Sequence, residues 1–304
     1  MNNEKEDPLF FPPNVSVEIK ALACELPSEF GVPLSRFTSR DIAKLACQRG
    51  IVATISGATV WRWLNEDAIK PWQYRSWIFP RDPNFQEKAG RVLDLYHAIW
   101  KGDQLGEKDY VISADEKTSI QARSRICSTT PPQSGQIMRV EHEYERRGAL
   151  AYMAAWDVRR GKIFGRCSIT TGIEPFNHLI EHVMSQKPYK SAKRVFWILD
   201  NGSSHRGNAC VKRLIKKWPN IVPVHLPVHA SWLNQIEIYF SVIQRKVLTP
   251  NDCASLSEVE QRLLEFEKMY ETIAKPFTWK FTRQDLNELI EKLNPWKKRL
   301  ARCA

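Results

Sequence analysis

No stretch of this 304-residue chain approaches the roughly 20 uncharged apolar residues that a membrane-spanning helix needs. The N-terminus, MNNEKEDPLF, lacks the basic start and apolar run of a secretion signal. These absences predict a soluble, cytoplasmic protein with no membrane partner. Cysteine is sparse and scattered: Cys24, Cys47, Cys127, Cys167, Cys210, Cys253 and Cys303 form no CxxC pair, and their number is odd. A disulfide framework is therefore not expected, a zinc site has no support, and the thiols are read as reduced. No repeat or low-complexity tract is present.

What remains is an ordinary globular composition, 43% apolar and 26% charged, at a length that suggests two domains. The formal net charge of +11 favours a polyanionic partner without naming one.

Residues 1–14 read as a loose polar tail and 15–105 as a helical domain with its connector. In TSRDIAKLACQRG, Ser39 is placed to cap a helix that Gly50 ends; in SGATVWRWLNED, Ser56 caps a second helix carrying Thr59, Arg62 and Trp63. Two short helices with a bend between them suit a helix-turn-helix, winged-helix-like unit whose second helix offers Thr59 and Arg62 to a DNA groove. The linking segment GIVATIS is longer than the usual turn, and a plain helical bundle with Trp61 and Trp63 in its core fits the spacing equally well.

The periodicity changes in 106–250. YVISADEKT reads as a short strand ending in acids. ALAYMAAWDV and KIFGRCSIT form a hairpin around RRG, EPFNHLIEHVMSQ is an amphipathic helix, and RVFWILDN is a buried strand. NACVKRLIKKW, NIVPVHL and SWLNQIEIYFSVIQRKVL continue as helix, strand and helix. This order predicts an α/β fold, a mixed sheet flanked by helices in RNase H-like order. Residues 251–304 are expected to add helices packed on that domain, ending in a basic tail.

Asp115 and Asp200 close strands that lie side by side in such an order, and Glu237 sits in a helix over the same edge. A single strand-end aspartate is more often a turn residue or a cap. Three acids at matching sheet positions, each following or interrupting an apolar run where an unpaired carboxylate is costly, point to ligands. Hard oxygen donors without a histidine–cysteine cluster suit Mg²⁺ or Mn²⁺ rather than zinc. Two such ions roughly 3.5–4 Å apart serve phosphodiester displacement by activating the attacking oxygen and stabilising the leaving one.

VISADEKTSIQAR, VFWILDNGSSHRG and HASWLNQIEIYFSVIQRKVL resemble the signature blocks of the mariner-like bacterial insertion-sequence transposases, a branch of the DDE endonucleases. The 36 residues, 201 to 236, between Asp200 and Glu237 agree with that family's spacing. GQIMRVEHEYERRGALAYMAAWD, KPFTWKFTRQDLNELIEKL and the paired-type segment around SRDIAKLACQRG resemble it too, so the likeness runs from about Ala21 to Leu293. It implies Asp115, Asp200 and Glu237 as ligands of two Mg²⁺ or Mn²⁺ ions that cut and rejoin DNA. It also implies double-stranded DNA partners, namely element terminal inverted repeats and target DNA, and a homodimer on DNA.

His205 resembles the family's histidine and would position scissile phosphate or water; the plain reading is a surface loop residue. Asn234, one helical turn before Glu237, would orient that carboxylate or contact DNA, or else cap the helix. Asn201 would brace the metal edge or shape the turn with Gly202. Glu116 is expected on the opposite strand face, and Trp232 in the core. Lys212, Arg213, Lys216 and Lys217 on one helix, and Lys297, Lys298 and Arg299 near the end, are candidate phosphate contacts, with a solvated charged face as the default. Relatives carry a further upstream helix-turn-helix that this sequence starts too late to contain, so element-end recognition is expected to be incomplete. The alternatives are a non-transposing DNA-binding remnant acting as a regulator, and an RNase H-like nuclease using Glu181 as a further acid.

Overall fold

The computed structural model describes residues 11–74, 80, 82–202 and 208–300. The chain forms two compact units that divide between Phe79 and Pro80. In the first, α1 (Pro13–Ala23), α2 (Ser39–Gln48) and α3 (Gly57–Glu66) enclose Ile19, Phe37, Ile42, Val60 and Leu64. Thr38, not Ser39, caps α2: its hydroxyl accepts the Asp41 N–H, and the Asp41 carboxylate accepts the Thr38 N–H in return. Ser56 caps α3 as expected, accepting the Thr59 N–H at 3.0 Å. Trp63 packs against the core, whereas Trp61 is 48% exposed beside the exposed Arg62.

In the second unit, α4 (Phe85–Tyr96) comes first, followed by the short hairpin β1 (Ile99–Trp100) and β2 (Asp103–Gln104). The sheet and its crossovers are β3 (Asp109–Ser124), β4 (Glu145–Asp157), β5 (Lys162–Ser168), α5 (Ile173–Met184), β6 (Arg194–Leu199), α6 (Asn208–Lys217) and β7 (Ile221–His225). They are followed by α7 (Ile236–Lys246), α8 (Leu256–Glu271) and α9 (Arg283–Leu300). The connector helix α4, grouped with the helical domain in the sequence reading, belongs here, because Phe85, Ala89, Val92, Leu93 and Leu95 join the core of the sheet unit. The compact division thus falls well before residue 105.

Strand order is β5-β4-β3-β6-β7, antiparallel across β5, β4 and β3 and parallel from β3 through β6 to β7. In the antiparallel part a tight turn joins β4 to β5 and a long loop, residues 125–144, joins β3 to β4; the parallel part comes from the helical crossovers α5 and α6. Side-chain alternation divides the sheet into two buried faces. Val111, Tyr152, Ala154, Trp156, Phe196 and Ile198 face the layer that holds Tyr239, Phe240 and Ile243 of α7 and Val259 and Leu263 of α8. Ile112, Ala114, Met153, Val195 and Trp197 face the layer that holds Phe176 and Ile180 of α5 and Leu214 of α6.

β3 is longer than the sequence suggested. It does not end at the acids but runs on through KTSIQARS, with a register shift between Lys117 and Ile120, where Ser119 adopts φ 58°. Its parallel partner stops much earlier, at the Ser113–Ile198 pair. Asp115 is therefore a mid-strand residue standing where β3 outruns β6.

Candidate active site

The β3–β6 register pairs Asp109 with Arg194 and Ser113 with Ile198; continued by two residues, the same offset sets Asp115 level with Asp200. Alternation puts Val111, Ser113 and Asp115 on the α7 face, and Phe196, Ile198 and Asp200 likewise. Glu237 lies in the first turn of α7, on that same side. Glu116 follows Ile112 and Ala114 to the other face, as expected from the strand period.

Asn234 is the hinge of this arrangement. It does not share a helical face with Glu237, because α7 begins only at Ile236; instead it precedes the helix in extended conformation, 1% exposed. Its side-chain Oδ1 accepts the Ser113 hydroxyl, and its Nδ2 donates to the Ala114 carbonyl at 3.0 Å and to Asp115 Oδ2 at 3.2 Å. Ser113 Oγ in turn accepts the Ile236 N–H, an otherwise orphan donor of the first turn of α7, at 2.9 Å. On the far side of the turn, the buried Tyr96 hydroxyl donates to the Leu233 carbonyl at 2.7 Å and accepts the Gln235 N–H at 3.2 Å. The start of α7 is thus fastened to both β3 and α4. Ser113 and Tyr96 were missed in the sequence; a serine two residues before Asp115, inside an otherwise apolar run, was the available signal for one of them.

The acids repel one another. Burial, followed by the charges of Asp200 and Glu237, pushes the Asp115 carboxyl up to about 7, against the pull of the Glu116 N–H at 2.8 Å and of Asn234. Glu237 is also raised, first by burial and then by Asp200, with Lys117 opposing. Among the described residues no three acidic, histidine or cysteine side chains converge as a metal cage. The three carboxylates therefore share one face and one field without closing on a point. That donor set, all hard oxygen and mutually destabilised, fits divalent cations of the Mg²⁺ class.

The other expected residues separate. Asn201 Nδ2 donates to the Leu226 carbonyl at 2.6 Å, tying the end of β6 to the chain after β7, while Asp200 Oδ1 accepts the Gly202 N–H at 2.8 Å. Asn201 thus shapes the edge without reaching the carboxylates. Trp232, expected in the core, is 42% exposed and packs edge-on to Phe281. Lys216 and Lys217 do not frame the site: α6 returns the chain from the end of β6 to the start of β7, so its last turn sits at the opposite end of the sheet. Lys217 pairs there with Glu181 at 3.2 Å, which also takes Glu181 away from the carboxylates. Lys212 and Arg213 precede them on the same helix, behind the sheet face that carries the acids. In the first unit Thr59 Oγ1 accepts from Arg62 at 3.3 Å, so these two form a local pair. His205 lies outside the described residues, as do the side chains of Lys297, Lys298 and Arg299.

A mixed five-stranded sheet in this order, covered by helices on both faces, with one acid midway along β3 and another just past the end of β6, is the RNase H-like fold. Residues 111–260 match the family described as DDE superfamily endonuclease. No curated protein matches the chain by sequence. Among solved structures, the Mos1 mariner paired end complex with Mn aligns at TM-score 0.53 and 15% identity, covering 88% of this chain and 75% of that one. The corresponding complex with Mg aligns at 0.52 and 14%, covering 96% and 82%. The Mos1 Strand Transfer Complex gives 0.50 and 14%, covering 87% and 74%. At such identities the likeness speaks for a mariner-like fold.

Proposed function

We propose that this chain is an insertion-sequence DNA transposase in which Asp115, Asp200 and Glu237 hold two Mg²⁺ or Mn²⁺ ions for strand cleavage and strand transfer at element ends. The observation that carries the reading is the placement of the three carboxylates on one sheet face, where β3 outruns its partner strand. The ions supply activation of the attacking oxygen and stabilisation of the leaving oxygen of a phosphodiester. The protein's own part is positional. Ser113 and Asn234 hold Asp115 against the first turn of α7, and Tyr96 fixes the approach to that helix.

The solved relatives are transposase complexes, of paired ends and of strand transfer, which supports double-stranded DNA as the partner: terminal inverted repeats and target. Assembly as a homodimer on DNA, and action in the cytoplasm, belong to the same reading. No described helix is long and apolar enough to cross a membrane. In the first unit we read α2 and α3 as a helix-turn-helix whose exposed Arg62 faces a groove.

The test is direct. Asp115→Asn, Asp200→Asn and Glu237→Gln should each abolish metal-dependent cleavage of element-end DNA while gel-shift binding persists. Normal Mg²⁺-dependent cleavage by the Asp200→Asn protein overturns the assignment.

A further inference from the structure

The end of the sheet opposite the carboxylates is built to hold cations in solvent. Its two buried acids are engaged internally. Asp109 receives Arg194 through Nε at 2.9 Å and a terminal nitrogen at 2.7 Å, together with the Gly106 N–H at 2.9 Å. Asp157 accepts the Tyr189 hydroxyl at 2.7 Å and the backbone N–H groups of Arg159 and Arg160 at 3.0 Å each. Those last two bonds shape the β4–β5 turn so that both arginines stand exposed.

Arg159 is steadied by the carbonyls of Gly106 at 2.9 Å and Asp109 at 2.7 Å, and Arg160 lies over the Tyr189 ring at 6.0 Å. Lys187, Lys190, Lys193 and Lys216 are exposed around them. Among the described residues, no carboxylate lies within ion-pair distance of these six; the ion pairs at this end belong to Arg194 and Lys217. A cleft of about 620 Å³ opens between Tyr110, Arg159, Arg160, Lys187 and Pro188, with Glu107 and Asp109 on its wall.

We propose that this pole binds a second segment of duplex DNA through its phosphates, apart from the segment at the carboxylates. The cations come from the β4–β5 turn, the Lys187–Lys193 connection and the end of α6. Strands β4 to β7 span three inter-strand spacings, about 14 Å. Over that length duplex DNA presents roughly 8 phosphate charges, a better match to six dispersed cations than one small anion. The poles are separated by the six steps from Asp109 to Asp115, about 20 Å along the strand, and they face away from each other. A straight duplex seated at the acids does not reach the far end.

This inference rests on the reading of the chain as a DNA-acting enzyme, and the experiment separates the two. Binding of a non-specific 60-base-pair duplex by the full chain is measured by anisotropy across a salt series, for wild type and for Lys187→Glu/Lys190→Glu/Lys193→Glu. If each lysine meets one phosphate, the slope of log affinity against log salt falls by about 2.7, so the affinity lost between 50 and 200 mM salt shrinks about fortyfold. Lysine acetylation read by mass spectrometry on the wild-type protein gives a second readout, independent of any variant: Lys187, Lys190 and Lys193 should be protected several-fold by the duplex. Wild-type binding with an unchanged slope and unprotected lysines overturns the second site and leaves the transposase reading standing. No duplex binding at all overturns both.

Discussion

Replacing Ser113 by alanine removes one oxygen and tests whether the strand and the helix are held together by it. The hydroxyl donates to Asn234 Oδ1 and accepts the Ile236 N–H at 2.9 Å, all within the buried interior. Alanine leaves the Ile236 N–H and the Asn234 carbonyl oxygen without their partner, and each stranded buried group costs about 1–3 kcal/mol. Partial relaxation of the turn offsets part of the sum, so a loss of about 2–4 kcal/mol is expected for the sheet unit. At roughly 2–4 °C per kcal/mol for a unit of this size, the thermal midpoint should fall by about 4–16 °C. A calorimetric or circular dichroism melt measures it, with urea unfolding to check that the midpoint moves at constant slope. Asn234→Ala should cost at least as much, because the Ala114 carbonyl and Asp115 also lose a donor. In a double-mutant cycle the two should couple by about 0.5–3 kcal/mol, since they share one bond. Cleavage by the Ser113→Ala protein should fall about 10²-fold if the start of α7 drifts by an ångström. A melt within a degree of wild type, or strictly additive losses, refutes the claim that this bond fixes the site.

Two further outcomes follow from other parts of the molecule. Glu267 on α8 is half-buried and accepts the Tyr152 hydroxyl at 2.8 Å; burial raises its carboxyl above the ordinary range, with the Tyr152 bond opposing. Folding therefore favours its protonated form, and this contribution is full below the unfolded pKa and is lost as pH rises through the folded one. Glu267→Gln should melt higher than wild type at pH 8 and show a flatter melt-versus-pH curve; parallel curves for the two proteins refute the point. Arg62→Ala should weaken preference for element-end over random DNA by about 1–3 kcal/mol in gel-shift competition if the guanidinium reads a base. Equal losses on both DNAs reduce Arg62 to a phosphate contact.

The order of strands and helices in the sheet unit was legible because alternation and helical period change visibly along it, and because Asp115 and Asp200 interrupt runs that otherwise bury. The extent of β3 was not. Residues 117–124 are mostly polar and bulged, and they stay in the strand through the burial of Ile120 and Ala122 and through pairing with β4, a partner more than 20 residues away in sequence. Asn234 departs from helical spacing for a related reason: the helix boundary falls between it and Glu237, and the tertiary bond to Ser113 holds it extended. Thr38 and Ser39 both satisfy the capping preference, and only the reciprocal bond with Asp41 decides between them. The placement of Lys216 and Lys217 was readable in principle. A helix joining two parallel strands must end at the far side of the sheet, which removes its last turn from the site.

The bond between Ser113 and Asn234 joins positions 121 residues apart. At about 5–20 residues per second, a ribosome that has just made Asp115 needs on the order of 6–25 s more to reach Glu237. Throughout that interval the growing chain holds one or two of its acids and no helix to close over them. On the proposed reading, a fragment that stops before Ile236 cannot cut, however well its five sheet strands have folded. Nuclease competence is therefore delayed to a late stage of synthesis, and premature termination yields silent products rather than stray endonucleases.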